Sequence, residues 1–336
     1  MNRVDQDGFT ALNSASMYGH VKIVQALILR DDVLVNHATN EGYTALISAA
    51  RGGHIEVLQL LLSRSDIDVN ATELCGFTAL NNGAKEGHVQ VVQALILRHD
   101  VLVNHATEEG YTALISAARG GHIEVLQLLL SRSDIDVNAA NYAGFTALIT
   151  AAQEGHIEVL ELLLSRSDID LNSANHDGYT ALNSVAKEGH LEVVRALIYR
   201  DDVLVNHATD EGFTPLINAA RRGHIEVLEL LLSRSDIDVN AANHDGFTAL
   251  NTAATVGHLG VVQALLMHDN VKVNKCTRRG FTPLINAAKY GHIRIVEELL
   301  RVPNIDVHEI NTYGRSALDE ASRMNHFEIA KLLDRR

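Results

Sequence analysis

Between Gly42 and Ala71 the chain reads GYTALISAARGGHIEVLQLLLSRSDIDVNA, and the rhythm of its apolar positions changes along the way. Leu46, Ala49 and Ala50 fall three and four residues apart, which predicts a short helix with one apolar side, ending near Arg51. Thr44 stands where its hydroxyl can accept the unpaired N–H near Ile47, so the helix is predicted to start there. Gly53 suits the left-handed backbone that commonly ends a helix. From Ile55 to about Leu62 a second helix is predicted. Its Val57, Leu58, Leu60, Leu61 and Leu62 leave it apolar around most of its circumference, as a helix covered from both sides requires. The polar run Ser63 to Asn70 then leads away.

The same stretch returns letter for letter from Gly110 to Ala139. Looser copies place a turn glycine every 34 residues, at Gly8, Gly42, Gly76, Gly110, Gly144, Gly178, Gly212, Gly246, Gly280 and Gly314. A fixed period of this size predicts stacked units, each burying its apolar face only against its neighbours. The helix-ending glycine recurs in every copy but the last, where Asn325 replaces it, and Asn is the other residue that tolerates left-handed backbone. A second period lies inside the first. Copies holding Asn13, Asn81, Asn183 and Asn251 end in Ala-Leu-Ile/Leu helices, and those holding Ile47, Ile115, Ile149, Ile217 and Ile285 carry Leu-Leu helices, a linkage best explained by duplication of 68-residue pairs.

Turn glycine, Thr, Ala/Pro-Leu, paired small residues, Gly-His, a Val/Leu helix and a Val-Asn close together resemble the ankyrin-repeat pattern, over all but the first few residues. The resemblance implies an all-α fold, an α-solenoid in which each repeat has a β-turn finger and two antiparallel helices. It implies one domain, residues 1–336, of about ten repeats beginning at the turn glycines, the last a carboxy-terminal cap from Gly314 with a polar close at Lys331, Asp334, Arg335 and Arg336. The family unit has 33 residues; the extra one here falls in the Ser-Arg-Ser-Asp-Ile-Asp connection, where a surface loop accepts an insertion cheaply. The family's first-helix His, which ties repeats together by hydrogen bonds, is Asn or Ile in these copies and Asp319 in the cap. The polar network between repeats is therefore in doubt, and Ile copies are expected to rely on packing. Ser16 and Ser322 replace the second small residue only in the end repeats, which fits exposed outer faces.

The formal charge of −14 argues against wrapping a nucleic-acid backbone or an anionic bilayer, both of which need a positive field. A neutral or basic protein partner fits better. Cys75 and Cys276 stand about six repeats apart, beyond the ~7 Å Cα separation a disulfide tolerates, and two lone thiols favour a reducing compartment. MNRVDQDGFT holds no apolar core segment, so no secretory signal is expected, and no apolar run approaches the ~20 residues that span a bilayer. These features together predict an intracellular, cytoplasmic monomer without membrane insertion.

Eighteen His residues invite a metal or catalytic reading. Ten of them, from His20 to His326, follow the helix-ending residue in register, and a group repeated once per unit beside a turn fits bonding to loop carbonyls better than a convergent active site. His37, His105 and His207, each in Val-Asn-His-Ala-Thr, are expected on surface loops. There is no phosphate-binding loop, no His-Glu-x-x-His and no nucleophile elbow, and the unbroken period leaves no inserted loop from which to build a catalytic pocket. No catalytic, cofactor-binding or metal-ligating residue is assigned.

In ankyrin proteins partners usually lie along the concave face, on finger tips and first-helix ends. Here the helix-end column is mainly basic (Arg51, Lys85, Arg119, Lys187, Arg221, Lys289) and the finger column mainly acidic (Asp7, Glu41, Glu109, Asp177, Glu211, Asp245). They either neutralise each other as solvated pairs or form a contact surface. A column of rings from Phe9 to Phe281 either packs on neighbouring fingers or contacts a ligand. The charge pattern breaks towards the carboxy terminus. The expected partner-binding residues are Thr255, Val256, Arg278, Arg279, Lys289, Tyr290 and Tyr313, with Arg221 and Arg222 two repeats earlier.

The favoured function is a non-catalytic scaffold or adaptor for a protein or extended peptide. The alternative is a regulatory or substrate-recruiting module of a larger enzyme or ubiquitin-ligase-type assembly. Excision of one internal pair, Gly76 to Ala143, is predicted to leave a cooperatively folded protein of lower stability, because coupling is confined to neighbours; an unfolded product by circular dichroism contradicts this.

Overall fold

The computed structural model describes residues 2–335, so Arg336, counted in the polar close, lies outside the described residues. The chain divides into two compact units, residues 1–175 and 176–336. In the first, the first helices of successive repeats are α1 (Ala11–Met17), α3 (Ala45–Arg51), α5 (Ala79–Lys85), α7 (Ala113–Gly120) and α9 (Ala147–Glu154). Their second helices are α2 (Val21–Ile28), α4 (Ile55–Leu62), α6 (Val89–Ile96), α8 (Ile123–Leu130) and α10 (Ile157–Leu164). The second unit holds first helices α11 (Ala181–Glu188), α13 (Pro215–Arg222), α15 (Ala249–Val256), α17 (Pro283–Lys289) and α19 (Ala317–Arg323). They pair with α12 (Leu191–Ile198), α14 (Ile225–Leu232), α16 (Leu259–Leu266), α18 (Ile293–Leu300) and α20 (Phe327–Leu333). Paired helices in sequential repeats form the all-α ankyrin solenoid fold.

Helices of seven or eight residues are too short to persist alone and depend on their packing. The Thr44 hydroxyl accepts the Ile47 N–H at 3.2 Å, as its position predicts. From Ala45 to Ala50 every residue of α3 is buried, and the alanines at 0% exposure let α1, α3 and α5 lie against one another. In α4 only Val57, Leu58 and Leu61 are fully buried, while Ile55, Leu60 and Leu62 are half-covered, so the second helix is less enclosed than its composition suggests.

Within each unit, hydrogen-bonded rungs of three kinds join successive repeats. At the fingers, the Leu74 N–H donates to the Glu41 carbonyl at 3.0 Å, and the Glu108 N–H to the Cys75 carbonyl at 2.9 Å. Gly42 is needed there twice over, because its φ is +85° and a Cβ would stand 2.7 Å from Glu73 Cα in the adjoining finger. At the first-helix ends, His88 Nε2 bonds the Arg51 carbonyl at 3.0 Å. Its ring rests on Gly53, whose φ is +69° and whose added Cβ would lie 2.8 Å from the imidazole. In the connections, Asn36 Nδ2 donates to the Asp66 carbonyl at 2.7 Å while its Oδ1 accepts the Asp68 N–H at 2.8 Å. Asn70, Asn104, Asn206 and Asn240 repeat the carbonyl bond. Arg64 grips Asp66 with two bonds of 2.9 Å, which holds the Asp66 carboxyl below its usual range, and reaches back to the Ile28 carbonyl at 3.2 Å.

The Asn copies keep the polar network that the loss of the family His put in doubt. Asn81 Oδ1 accepts from the Thr78 N–H at 3.2 Å and the Thr78 hydroxyl accepts from the Asn81 N–H at 3.2 Å, which makes a capping box, and Asn81 Nδ2 donates to the His105 carbonyl at 3.2 Å and the Tyr111 carbonyl at 3.4 Å. In the Ile copies Ile47 and Ile115 are buried apolar side chains, so packing alone holds that position. His37 and His105 are half-buried, not loose surface residues, and bond the Gly8 and Gly76 carbonyls at 3.0 and 3.1 Å. Ser16 also departs from expectation: it is fully buried beneath the neighbouring repeat, whereas Ser322 is exposed. In the last repeat Glu320 is 1% exposed; burial pushes its carboxyl up, but bonds from Arg323 and Asn311 outweigh that and hold it below its ordinary range.

Among the described residues no helix is long and apolar enough to cross a membrane, and no group of His, Cys, Asp and Glu could hold a metal ion. Asn81→Leu is expected to destabilise the protein by about 1–3 kcal/mol, since it leaves the His105 carbonyl without its donor and opens the cap. An unchanged denaturation midpoint would show that the Asn network is dispensable.

Candidate functional site

The finger and the end of the first helix belong to the same repeat and meet across its turn. The aromatic residue after the turn glycine slides under the basic residue at the helix end. Arg51 lies 5.5 Å from the Tyr43 ring centre, Lys85 5.1 Å from Phe77, Lys187 5.1 Å from Tyr179 and Arg221 5.2 Å from Phe213. Most of the basic column is therefore seated on rings in its own repeat. This pairing of ring and cation within one repeat is a contact that neither reading of the two columns foresaw. Spacing along the chain did not reveal it, because ring and cation stand eight residues apart, before the start and at the end of the first helix.

Repeat nine differs. Phe281 is 7% exposed, while the other rings of the column are half-buried. Lys289 Nζ lies 4.7 Å from the Phe281 ring and 4.9 Å from the Tyr290 ring, and Tyr313 meets Phe281 edge-on at 6.3 Å. A cavity of about 430 Å³ opens between the eighth and ninth fingers and α17, lined among others by Arg278, Arg279, Asn286, Lys289 and Tyr290. Arg278 and Arg279 are exposed and have no ion-pair partner among the described residues.

Four of the nine expected contact residues thus line one cavity, and Tyr313 adjoins it through Phe281. The others do not line it. Thr255 is half-buried, its hydroxyl donating to the Asn251 carbonyl at 2.7 Å within its own helix. Val256 is exposed at the end of α15, and Arg221 and Arg222 lie at the end of α13. Asn286 and Asp245 also line the cavity and were not expected there. A signal for Asn286 existed, because its register reads Ser48, Ser116 and Thr150 in earlier Ile copies and becomes Asn218 and Asn286 only in the second unit.

Homologous cavities open at earlier steps from an Asn copy to an Ile copy. One of about 370 Å³ is lined by Glu41, Tyr43, Ser48 and Arg51, another of about 330 Å³ by Glu109, Tyr111, Ser116 and Arg119. A larger, more open depression of about 700 Å³ lies between α4 and α6, its polar lining including Glu56, Gln59, Gln90, Gln93 and Arg98. The Cys75 thiol is pushed up by the charge of Glu73.

The model of the family described as ankyrin repeats (3 copies) matches the chain at residues 1–73, 66–141, 136–207, 200–275 and 269–335. No curated protein matches it. Removing the buried ring by Phe281→Ala is expected to cost about 3–5 kcal/mol, against a smaller loss for Phe77→Ala at a half-buried ring. Equal losses on chemical denaturation would mean that Phe281 is no better packed than its counterparts.

Proposed function

The chain belongs to the ankyrin-repeat family, whose repeats generally serve as protein–protein interaction modules, and on that premise we propose that it is a non-catalytic scaffold or adaptor. Its ten repeats act as one domain, residues 1–336, that holds a protein or an extended peptide along finger tips and first-helix ends. Contact is concentrated in the carboxy-terminal third, on Arg278, Arg279, Lys289, Tyr290 and Tyr313, with Thr255, Val256, Arg221 and Arg222 at its margin. The free thiols Cys75 and Cys276 are compatible with an intracellular setting.

One observation carries this reading. Elsewhere most of the recurring polar side chains are occupied with an adjoining repeat or with a ring, while repeat nine and the tenth finger gather two unpaired guanidinium groups and two exposed tyrosines at one place. Arg and Tyr dominate binding energy at protein interfaces because they combine broad contact area with hydrogen bonding.

Capture of partners from cell extract by the tagged full chain, followed by mass spectrometry, tests the assignment. The R278E/R279E/Y290A variant is expected to lose at least about ten-fold of a partner that the R51E/R119E variant retains, the loss of two or three interface anchors being worth more than ~1.4 kcal/mol. Equal losses in both variants would refute the placement of the contact.

A further inference from the structure

Asn286 lines the cavity in repeat nine and carries a hydrogen-bond donor without an acceptor. Asn286 is 3% exposed, and its Nδ2 has no partner. Other residues at this register find one within their own helix: Asn82 Nδ2 donates to the Thr78 carbonyl at 3.0 Å, and the Thr150 and Thr252 hydroxyls donate to Thr146 and Thr248 at 2.8 Å. A buried amide hydrogen left unbonded is costly, so an acceptor arriving from outside gains what the protein does not supply.

The charge around that donor selects the kind of acceptor. At the two finger positions that face the cavity, repeats two and four carry Asn40 with Glu41 and Glu108 with Glu109, whereas repeat nine carries Arg278 with Arg279. Lys289, on its two rings, adds a third cation, and Asp245 on the preceding finger is the one carboxylate in the lining. Asn218 in repeat seven has the same unpaired Nδ2, but its finger carries Asp210 and Glu211, so among the described residues the donor coincides with finger cations in repeat nine alone. Phe247, Phe281 and Tyr290 supply apolar wall beside the cations.

We propose that the cavity between the eighth and ninth fingers is a carboxylate-binding pocket that takes an Asp or Glu side chain, flanked by an apolar residue, from an acidic segment of the protein partner. The carboxylate oxygens accept from Asn286 Nδ2 and from the Arg278 and Arg279 guanidinium groups, while the flanking side chain lies on Tyr290. Charge-assisted bonds of this kind are stronger than neutral ones and read the planar carboxylate group. The proposal rests on the scaffold reading above and gives its contact a ligand chemistry.

The test uses the full chain and three probes: the capped peptides Ac-Leu-Glu-Leu-NH2 and Ac-Leu-Gln-Leu-NH2, and inorganic phosphate. Side-chain amide resonances are followed by NMR. The variants Asn286→Ser and R278N/R279E install residues that repeats two and four, or the second finger, already carry in register, so they are compatible with the fold. Expected are a saturable shift of the Asn286 amide with the Glu peptide, binding at least about ten-fold weaker for the Gln peptide, and a similar loss in R278N/R279E. With Asn286→Ser, binding of the Glu peptide weakens.

Equal binding of the Glu and Gln peptides, no saturable shift, or preferential binding of phosphate overturns the carboxylate assignment. A captured protein that depends on Arg278, Arg279 and Tyr290 yet is not displaced by the Glu peptide also overturns it and leaves the scaffold reading intact. A partner retained by the R278E/R279E/Y290A variant refutes the scaffold contact itself.

Discussion

A repeat of 34 residues cannot finish its own hydrogen bonding. Its helices are two turns long, its finger has an open edge, and its helix-end carbonyls lack donors, so each of these debts is met by the repeat alongside. Asn36 reaches the Asp66 carbonyl, His88 the Arg51 carbonyl, and Leu74 the Glu41 carbonyl. Burial follows the same rule, since Ala49 and Ala50 are covered only because the helices to either side come close. Order in any one repeat is thus borrowed from its neighbours, and coupling falls off beyond them.

This economy governs what is left for function. The ten periodic imidazoles look like a store of chemistry, yet those along the first-helix ends are spent on carbonyls. A carbonyl oxygen can only accept, so the ring nitrogen that faces it carries its hydrogen and is engaged. The connection arginines are spent on aspartates two residues away, and most helix-end cations on rings. Against that background Arg278, Arg279 and the Asn286 amide stand out by being unspent, without any need for an inserted loop.

Much of the fold was legible because local signals and period agree. Thr44 at the start of α3 and the left-handed Gly53 and Asn325 behave as their chemistry dictates, with Asn325 at a φ of +63°. The candidate site was half legible. Arg278, Arg279, Lys289 and Tyr290 were visible as a break in a charge pattern, and the structure puts them on one cavity. Asn286 was not singled out, because an unpaired buried amide can be recognised only when every possible acceptor has been placed. The pairing of cation with ring was hidden for a similar reason, as was the burial of Ser16, which depends on what the second repeat lays over it.

The seat that Gly53 offers to the His88 ring has a bearing on how such a chain can change. Any side chain at that glycine meets an imidazole encoded 35 positions downstream, so a replacement on one side demands an answering replacement on the other before either is tolerated. A single change there meets both the positive φ and the ring, whereas a finger tip on which nothing leans meets neither. The nine helix-ending glycines and ten histidines are uniform across the copies, while the finger tips run through Asp, Glu, Cys, Ala, Arg and Tyr, so the copies differ where no neighbour's ring constrains the side chain.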